Sequence, residues 1–147
     1  MLDRVLIVCV GNICRSPMAE ALVRARLSGR HGAQVASAGL AARIGESADP
    51  IAQELVAERG LDLSGHRARQ LTPDLMSSFD LVLVMEAEHV RAAEELSPAM
   101  RGRVHRIGKF ASVDVPDPYG RGHQAFAAAL SHIERGLEGF ERAFWSR

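Results

Sequence analysis

The stretch that most constrains this chain is Cys9-Val10-Gly11-Asn12-Ile13-Cys14-Arg15-Ser16-Pro17. An apolar run, Val5-Leu6-Ile7-Val8, leads into it, and Met18, Ala21, Leu22 and Ala25 follow at helical spacing. The order is therefore buried strand, tight loop, helix. A loop in that setting aims several backbone N–H groups into one small bowl at the positive end of a helix dipole, which suits an oxyanion. Cys9 stands at the floor of the bowl. Arg15 closes the loop, and its planar fork matches a tetrahedral oxyanion in bidentate fashion. A thiolate beneath a bound phosphate, with a guanidinium beside it, points to phosphoryl transfer to sulfur.

The remaining segments alternate between strand and helix. Ser16-Pro17 predicts a helix start, with Ser16 as N-cap and Pro17 at the first helical position. Val35 to Ala38 reads as a second strand. Ile51 to Arg59 reads as a helix stopped by Gly60, and Thr72-Pro73 opens a short helical piece. Phe79 to Met85 is the strongest strand, apolar on both faces apart from Asp80. A helix over Glu86 to Leu96 and a fourth strand over Val104 to Ile107 follow. In the last helix Phe126, Leu130, Ile133, Leu137, Phe140 and Phe144 form one apolar stripe. The pattern predicts an α/β fold, a small four-stranded parallel sheet with helices on both faces, as a single domain over residues 1–147. Ligands belong at the carboxyl ends of the strands, where the Cys9 loop lies.

Eighteen basic residues balance eighteen acidic ones. That balance argues against an extended nucleic-acid footprint and a polybasic membrane patch. No apolar run approaches the ~20 residues of a membrane span, and the N-terminus has no signal pattern. Cys9 and Cys14 are the only cysteines, too few for a disulfide framework. A reducing, cytoplasmic setting is expected, and it keeps a nucleophilic thiol usable. The six histidines (His31, His66, His89, His105, His123 and His132) show no metal-ligand spacing, so no metal and no cofactor is expected.

A free cysteine is most often a buried apolar residue. The arginine six positions on, the intervening Gly-Asn and the strand–loop–helix context favour Cys9 as a nucleophile instead. A helix N-terminus and a nearby cation favour thiolate over thiol. Ser16 can donate its hydroxyl to that sulfur, and Asn12 is the loop residue best able to adopt a left-handed backbone. Cys14 has two equally weighted readings, a small buried residue or a disulfide partner that protects Cys9 from overoxidation. Loss of a phosphate ester's leaving group calls for a general acid. Asp117, pinned between Pro116 and Pro118 with Tyr119 beside it, competes with Asp114 for that role. His66 fits equally a buried structural partner or a surface residue, and Arg67 and Arg69 read as a solvated face.

The loop from Val8 to Pro17, together with Asp117-Pro118-Tyr119, resembles the low-molecular-weight protein tyrosine phosphatases. The likeness extends through Ser37-Ala38-Gly39, His66-Arg67-Ala68-Arg69-Gln70 and the Asp80–Met85 strand. It implies Cys9 as nucleophile, Arg15 as phosphate clamp and Asp117 as acid and then base. It also implies that amides from Gly11, Asn12, Ile13, Cys14 and Arg15 hold the phosphoryl oxygens, and that Asn12, Ser16, Ser37 and His66 brace the loop. Ile13, Leu40 and Tyr119 are the expected substrate walls. The rim Leu40-Ala41-Ala42-Arg43-Ile44 lacks an aromatic residue and Gly120 follows Tyr119. Both features look more like the bacterial branch that pairs with tyrosine autokinases in exopolysaccharide production than like animal members. The partner implied is a phosphotyrosine-bearing protein such as that autokinase, met by a monomer or weak dimer. Arsenate reductases share the loop but need further cysteines. Protein-arginine phosphatases carry Thr where this chain has Ile13. A non-catalytic phosphotyrosine-binding module would have no reason to keep Cys9, Arg15 and Asp117 together.

Overall fold

Runs that are apolar on both faces belong in the middle of a parallel sheet, where helices cover each side. The computed structural model, which describes residues 2–146, places them there. Strands β1 (Arg4–Cys9), β2 (Gln34–Gly39), β3 (Leu81–Val84) and β4 (Val104–Arg106) form one parallel sheet in the order β2-β1-β3-β4. In β1, Val5, Leu6, Ile7 and Val8 have no exposed surface. Cys9 ends β1 directly opposite Gly39, the end of β2.

Five helices cover the sheet: α1 (Arg15–Arg26), α2 (Pro50–Ala57), α3 (Pro73–Ser77), α4 (Ala87–Leu96) and α5 (His123–Phe140). Val5, Ile7, Leu81 and Leu83 pack with α1, α2 and α5 on one face. Leu6, Val8, Val82 and Val84 pack with Met76 of α3 and Ala93 of α4 on the other. The connection after β1 runs through α1 to β2, on one flank. That after β3 runs through α4 to β4, on the opposite flank. The winding therefore reverses between β1 and β3, and the loops leaving their carboxyl ends diverge around a crevice. Among the described residues, no helix is long and apolar enough to cross a membrane.

Two local expectations need correction. Helix α1 begins at Arg15, with Cys14 at the cap position and no side-chain cap bond. Ser16 is thus inside the first turn and wholly buried; its hydroxyl is occupied by the thiol described below. The apolar stripe of α5 also stops at Phe140. A five-residue π-helical stretch, Glu141–Trp145, follows. Its wider turn brings Trp145 onto the core face in place of Phe144. Trp145 is buried and its indole N–H donates to the Leu2 carbonyl at 2.6 Å, while Phe144 stays 38% exposed.

Candidate active site

The loop after β1 is shaped by what happens to its carbonyl groups. Cys9 O accepts from Leu40 N (2.9 Å), Val10 O from Ala41 N (2.9 Å), Gly11 O from Arg43 N (3.0 Å) and Ile13 O from Asp49 N (2.8 Å). Asn12 O accepts from His66 Nε2 (2.7 Å), which fixes the proton on that ring nitrogen, and Cys14 O accepts from Met18 N (3.3 Å). Every carbonyl from Cys9 to Cys14 is thereby turned outward. The backbone N–H groups of Gly11 to Arg15 have no protein acceptor among the described residues. They form the concave donor surface that the loop presents at the head of α1. Asn12 supplies the required twist with φ of 61°. The rim passes so close that a Cβ on Gly39 would lie 2.4 Å from Val10 O, so only glycine fits there.

A buried polar chain runs beneath the loop. Ser16 Oγ lies 2.9 Å from Cys9 Sγ and accepts from Asn12 Nδ2 at 2.7 Å. With that lone pair engaged, the hydroxyl proton is free to point at sulfur. Asn12 Nδ2 also donates to Ser37 Oγ (3.0 Å), and Ser37 in turn donates to Glu20. Asn12 Oδ1 accepts from Arg69 N (2.9 Å), while Arg69 Nε donates to Ser37 O (3.1 Å). Arg67 and Arg69 are both exposed, as a solvated face requires, and Arg69 also braces the loop through these two hydrogen bonds.

Arg15 is 2% exposed. Its Nη1 donates to Glu86 Oε2 (2.6 Å) and Val115 O (2.8 Å). No other hydrogen bond from this guanidinium is made among the described residues, and Arg15 lines the cleft above Cys9. Glu86 follows β3 at the reversal of winding, which explains how a residue so distant in sequence reaches Arg15. His89 is buried behind Glu86 and its Nδ1 has no partner among the described residues. Burial holds its imidazole below the usual histidine range. Cys14 is a free thiol, as is Cys9. Burial, with Asp49 nearby, pushes the Cys14 thiol up to about 12, so it stays protonated at neutral pH.

The cleft has a volume of about 280 Å³ and is lined by residues of the loop together with Ala41, Arg43, Asp117 and Tyr119. Ile13 and Tyr119 are walls. Leu40 is not: it continues the alternation Ala36, Ala38, Leu40 and packs on the opposite side of the sheet. Ala41 and the stem of Arg43 stand there instead, and a Cβ on Gly11 would lie 3.7 Å from Arg43 Cγ and Cδ. Asp114 does not face the cleft. Its carboxylate accepts from Arg106 (2.8 Å) and Ala87 N (3.2 Å), and the hydrogen bond from Arg106 holds it below the usual carboxylate range. Asp117 opens into the cleft, and its Oδ1 accepts from Tyr119 N at 3.1 Å.

Sequence reasoning missed Glu86, Glu20, Arg43 and the Val115 carbonyl. Only Glu86 carried a usable signal, as a carboxylate at the carboxyl end of the strongest strand.

Comparison with known proteins places these features in context. A family model described as low molecular weight phosphotyrosine protein phosphatase matches residues 4–144. EpsP of Ralstonia nicotianae, named as a probable low molecular weight protein-tyrosine-phosphatase, is 46% identical over 94% of this chain and 93% of its own length. The low molecular weight protein-tyrosine-phosphatase Wzb of Escherichia coli is 41% identical over 97% of this chain and 96% of its own. Among solved structures, Vibrio vulnificus Wzb in complex with benzylphosphonate superposes with a TM-score of 0.91 at 37% identity, covering 98% of this chain and 100% of that one.

Proposed function

The chain belongs to the low molecular weight phosphotyrosine protein phosphatase family, and from that premise we propose that it hydrolyses phosphotyrosine in proteins through a phosphocysteine formed on Cys9. One observation carries the mechanism. The outward turning of every carbonyl from Cys9 to Cys14 leaves the inward amides of the loop, with Arg15, as a preorganised seat for three phosphoryl oxygens.

In the first step Cys9 Sγ attacks phosphorus. The S–P bond forms, the bond from phosphorus to the phenolic oxygen breaks, and Asp117 gives its proton to the departing oxygen. In the second step Asp117 takes a proton from water as the water oxygen attacks phosphorus. The S–P bond breaks, inorganic phosphate leaves and Asp117 is again protonated. Ser16 donates to the sulfur whenever it carries negative charge. The amides and Arg15 neutralise charge on the phosphoryl group, the task a metal ion performs in other phosphoryl-transfer sites.

Depth supplies the substrate class. Cys9 is 2% exposed at the floor, beneath Ile13, Ala41, the Arg43 stem and Tyr119. A long, flat aryl phosphate reaches the sulfur; a short phosphoserine side chain does not. The apolar Ile13 wall favours a phenyl ring over a guanidinium. Resemblance to the bacterial branch supports a tyrosine autokinase of exopolysaccharide production as the protein substrate. The test compares phosphate release from phosphotyrosine, phosphoserine and phosphoarginine peptides, in chelator, by wild type and Cys9→Ser. Release from phosphotyrosine alone, abolished in the variant, is expected. Preference for phosphoarginine, or turnover by Cys9→Ser, overturns the proposal.

A further inference from the structure

The segment that carries Asp117, residues 112–122, contains neither helix nor strand. Val115 anchors its start: the side chain is wholly buried, and the backbone N–H donates to Met85 O at 2.9 Å. After Val115 the internal hydrogen bonds are local, Tyr119 N to Asp117 Oδ1 (3.1 Å) and Arg121 N to Pro118 O (3.0 Å). Among the described residues, one hydrogen bond joins residues 116–121 to the rest of the protein. Arg43 Nη1 donates to Tyr119 Oη at 3.0 Å, and the Arg43 guanidinium carbon stands 5.3 Å from the centre of the Tyr119 ring.

Arg43 is itself firmly held. Its backbone N–H donates to Gly11 O at 3.0 Å, and its Nε contacts both oxygens of Glu46 at 3.1 Å. Its stem lies against Gly11 of the phosphate loop. The guanidinium therefore bridges two elements that share no covalent proximity, the rim of the bowl and the strip bearing the acid. A lysine has no fork with which to grip Glu46 and Tyr119 at once.

We infer that Arg43 is a positioning residue for the general acid: through Tyr119 it straps the Asp117 segment to the phosphate loop, so that the carboxyl group stands over the leaving oxygen. The inference rests on the assignment of Asp117 as the acid made above. Without the strap the segment is held at Val115, at the buried Pro118 and at the start of α5, with no hydrogen bond to the phosphate loop, and Asp117 spends less time in reach. Small losses of alignment in proton transfer carry large rate penalties.

The strap predicts a dependence on the leaving group. A phenol of high pKa needs the proton; a dinitrophenol does not. With kcat/KM as the readout, Arg43→Ala should lose about tenfold more on phenyl phosphate and phosphotyrosine peptide than on 2,4-dinitrophenyl phosphate, where only the lost wall of the cleft counts. Arg43→Lys should resemble Arg43→Ala. Tyr119→Phe should show part of the same selective loss, and adding it to Arg43→Ala should cost nothing more. Asp117→Asn, measured in parallel, must show the leaving-group selectivity in stronger form. Absence of selectivity in Asp117→Asn means that the assignment of the acid fails. Selectivity in Asp117→Asn with an equal loss on both esters, or none, in Arg43→Ala overturns the strap. Full rescue by Arg43→Lys overturns it as well, since charge alone would then suffice.

Discussion

Arg15 Nη1 lies 2.6 Å from Glu86 Oε2, so the buried cation facing the cleft is held in place by a carboxylate from the loop after β3. Two loops that diverge at the reversal of winding thus meet across the site, and the side-chain pair joins them. The clamp proposed for Arg15 needs guanidinium N–H groups to spare, and anchoring through Nη1 alone leaves Nε and Nη2 without a protein acceptor among the described residues.

Removing Glu86 should therefore damage both stability and catalysis. Glu86→Ala leaves Arg15 buried with only the Val115 carbonyl as partner, a loss on the order of 2 kcal/mol. We expect a lower urea midpoint with an unchanged slope, and a lower kcat/KM on phosphotyrosine peptide. An unchanged midpoint together with unchanged kcat/KM would mean that Arg15 is positioned without Glu86.

Ser16 is expected to act on the sulfur as a leaving group. Loss of one hydrogen bond to an ionised partner is worth about 1.5–3 kcal/mol, or roughly ten- to a hundredfold in rate. Ser16→Ala should slow hydrolysis of the phosphocysteine, so that rapid mixing shows a burst of phenol followed by slow turnover. If Ser16 served only to brace the helix start, turnover would change without accumulation of the intermediate.

These two residues show where sequence reasoning reached and where it stopped. The strand–loop–helix, the left-handed Asn12 and the facing of Ser16 toward the thiol are local consequences of neighbouring residues, and they were legible. The N-cap assigned to Ser16 was not correct, because the thiol and Asn12 occupy its hydroxyl. Leu40 was misplaced because the alternation of β2 continues one residue beyond the strand. Phe144 lost its core position to Trp145 through a π-turn that leaves no mark in the spacing of apolar residues. Glu86 and Arg43 act through contacts made only when distant segments meet; the place of Glu86 after the strongest strand marks it as a candidate, but no local pattern encodes either partner.

The two cysteines should differ in reactivity. The Cys14 thiol is pushed up to about 12 by burial and stays neutral, whereas the proposed chemistry needs Cys9 as thiolate. Brief treatment with iodoacetate at neutral pH, followed by peptide mapping, should label Cys9 alone, and inorganic phosphate should protect it. Labelling of Cys14 first would contradict this.

Stability should fall on mild acidification, and His89 is one cause. Burial keeps its folded-state ring below the usual histidine range, while in the unfolded chain it titrates near ~6.5. Above that pH both states carry a neutral ring and His89 adds no pH dependence. As pH falls through ~6.5 the unfolded chain takes up a proton that the folded chain refuses, and stability is lost until the folded-state value is passed. His105 is shifted in the same direction by burial and by Lys109. Urea unfolding at pH 7.5 and 5.5 should show a smaller loss in His89→Gln than in wild type, with His105 contributing to the loss that remains. Equal losses would remove His89 from the account.

The most direct measurement is the location of the phosphoryl group during turnover. Wild-type protein mixed with phosphotyrosine peptide and quenched into denaturant within the first turnover should yield one phosphorylated peptide, carrying the group on Cys9, and Ser16→Ala should increase its yield. Phosphate on any other residue, or rapid turnover with no phosphorylated protein in either form, would contradict the covalent mechanism.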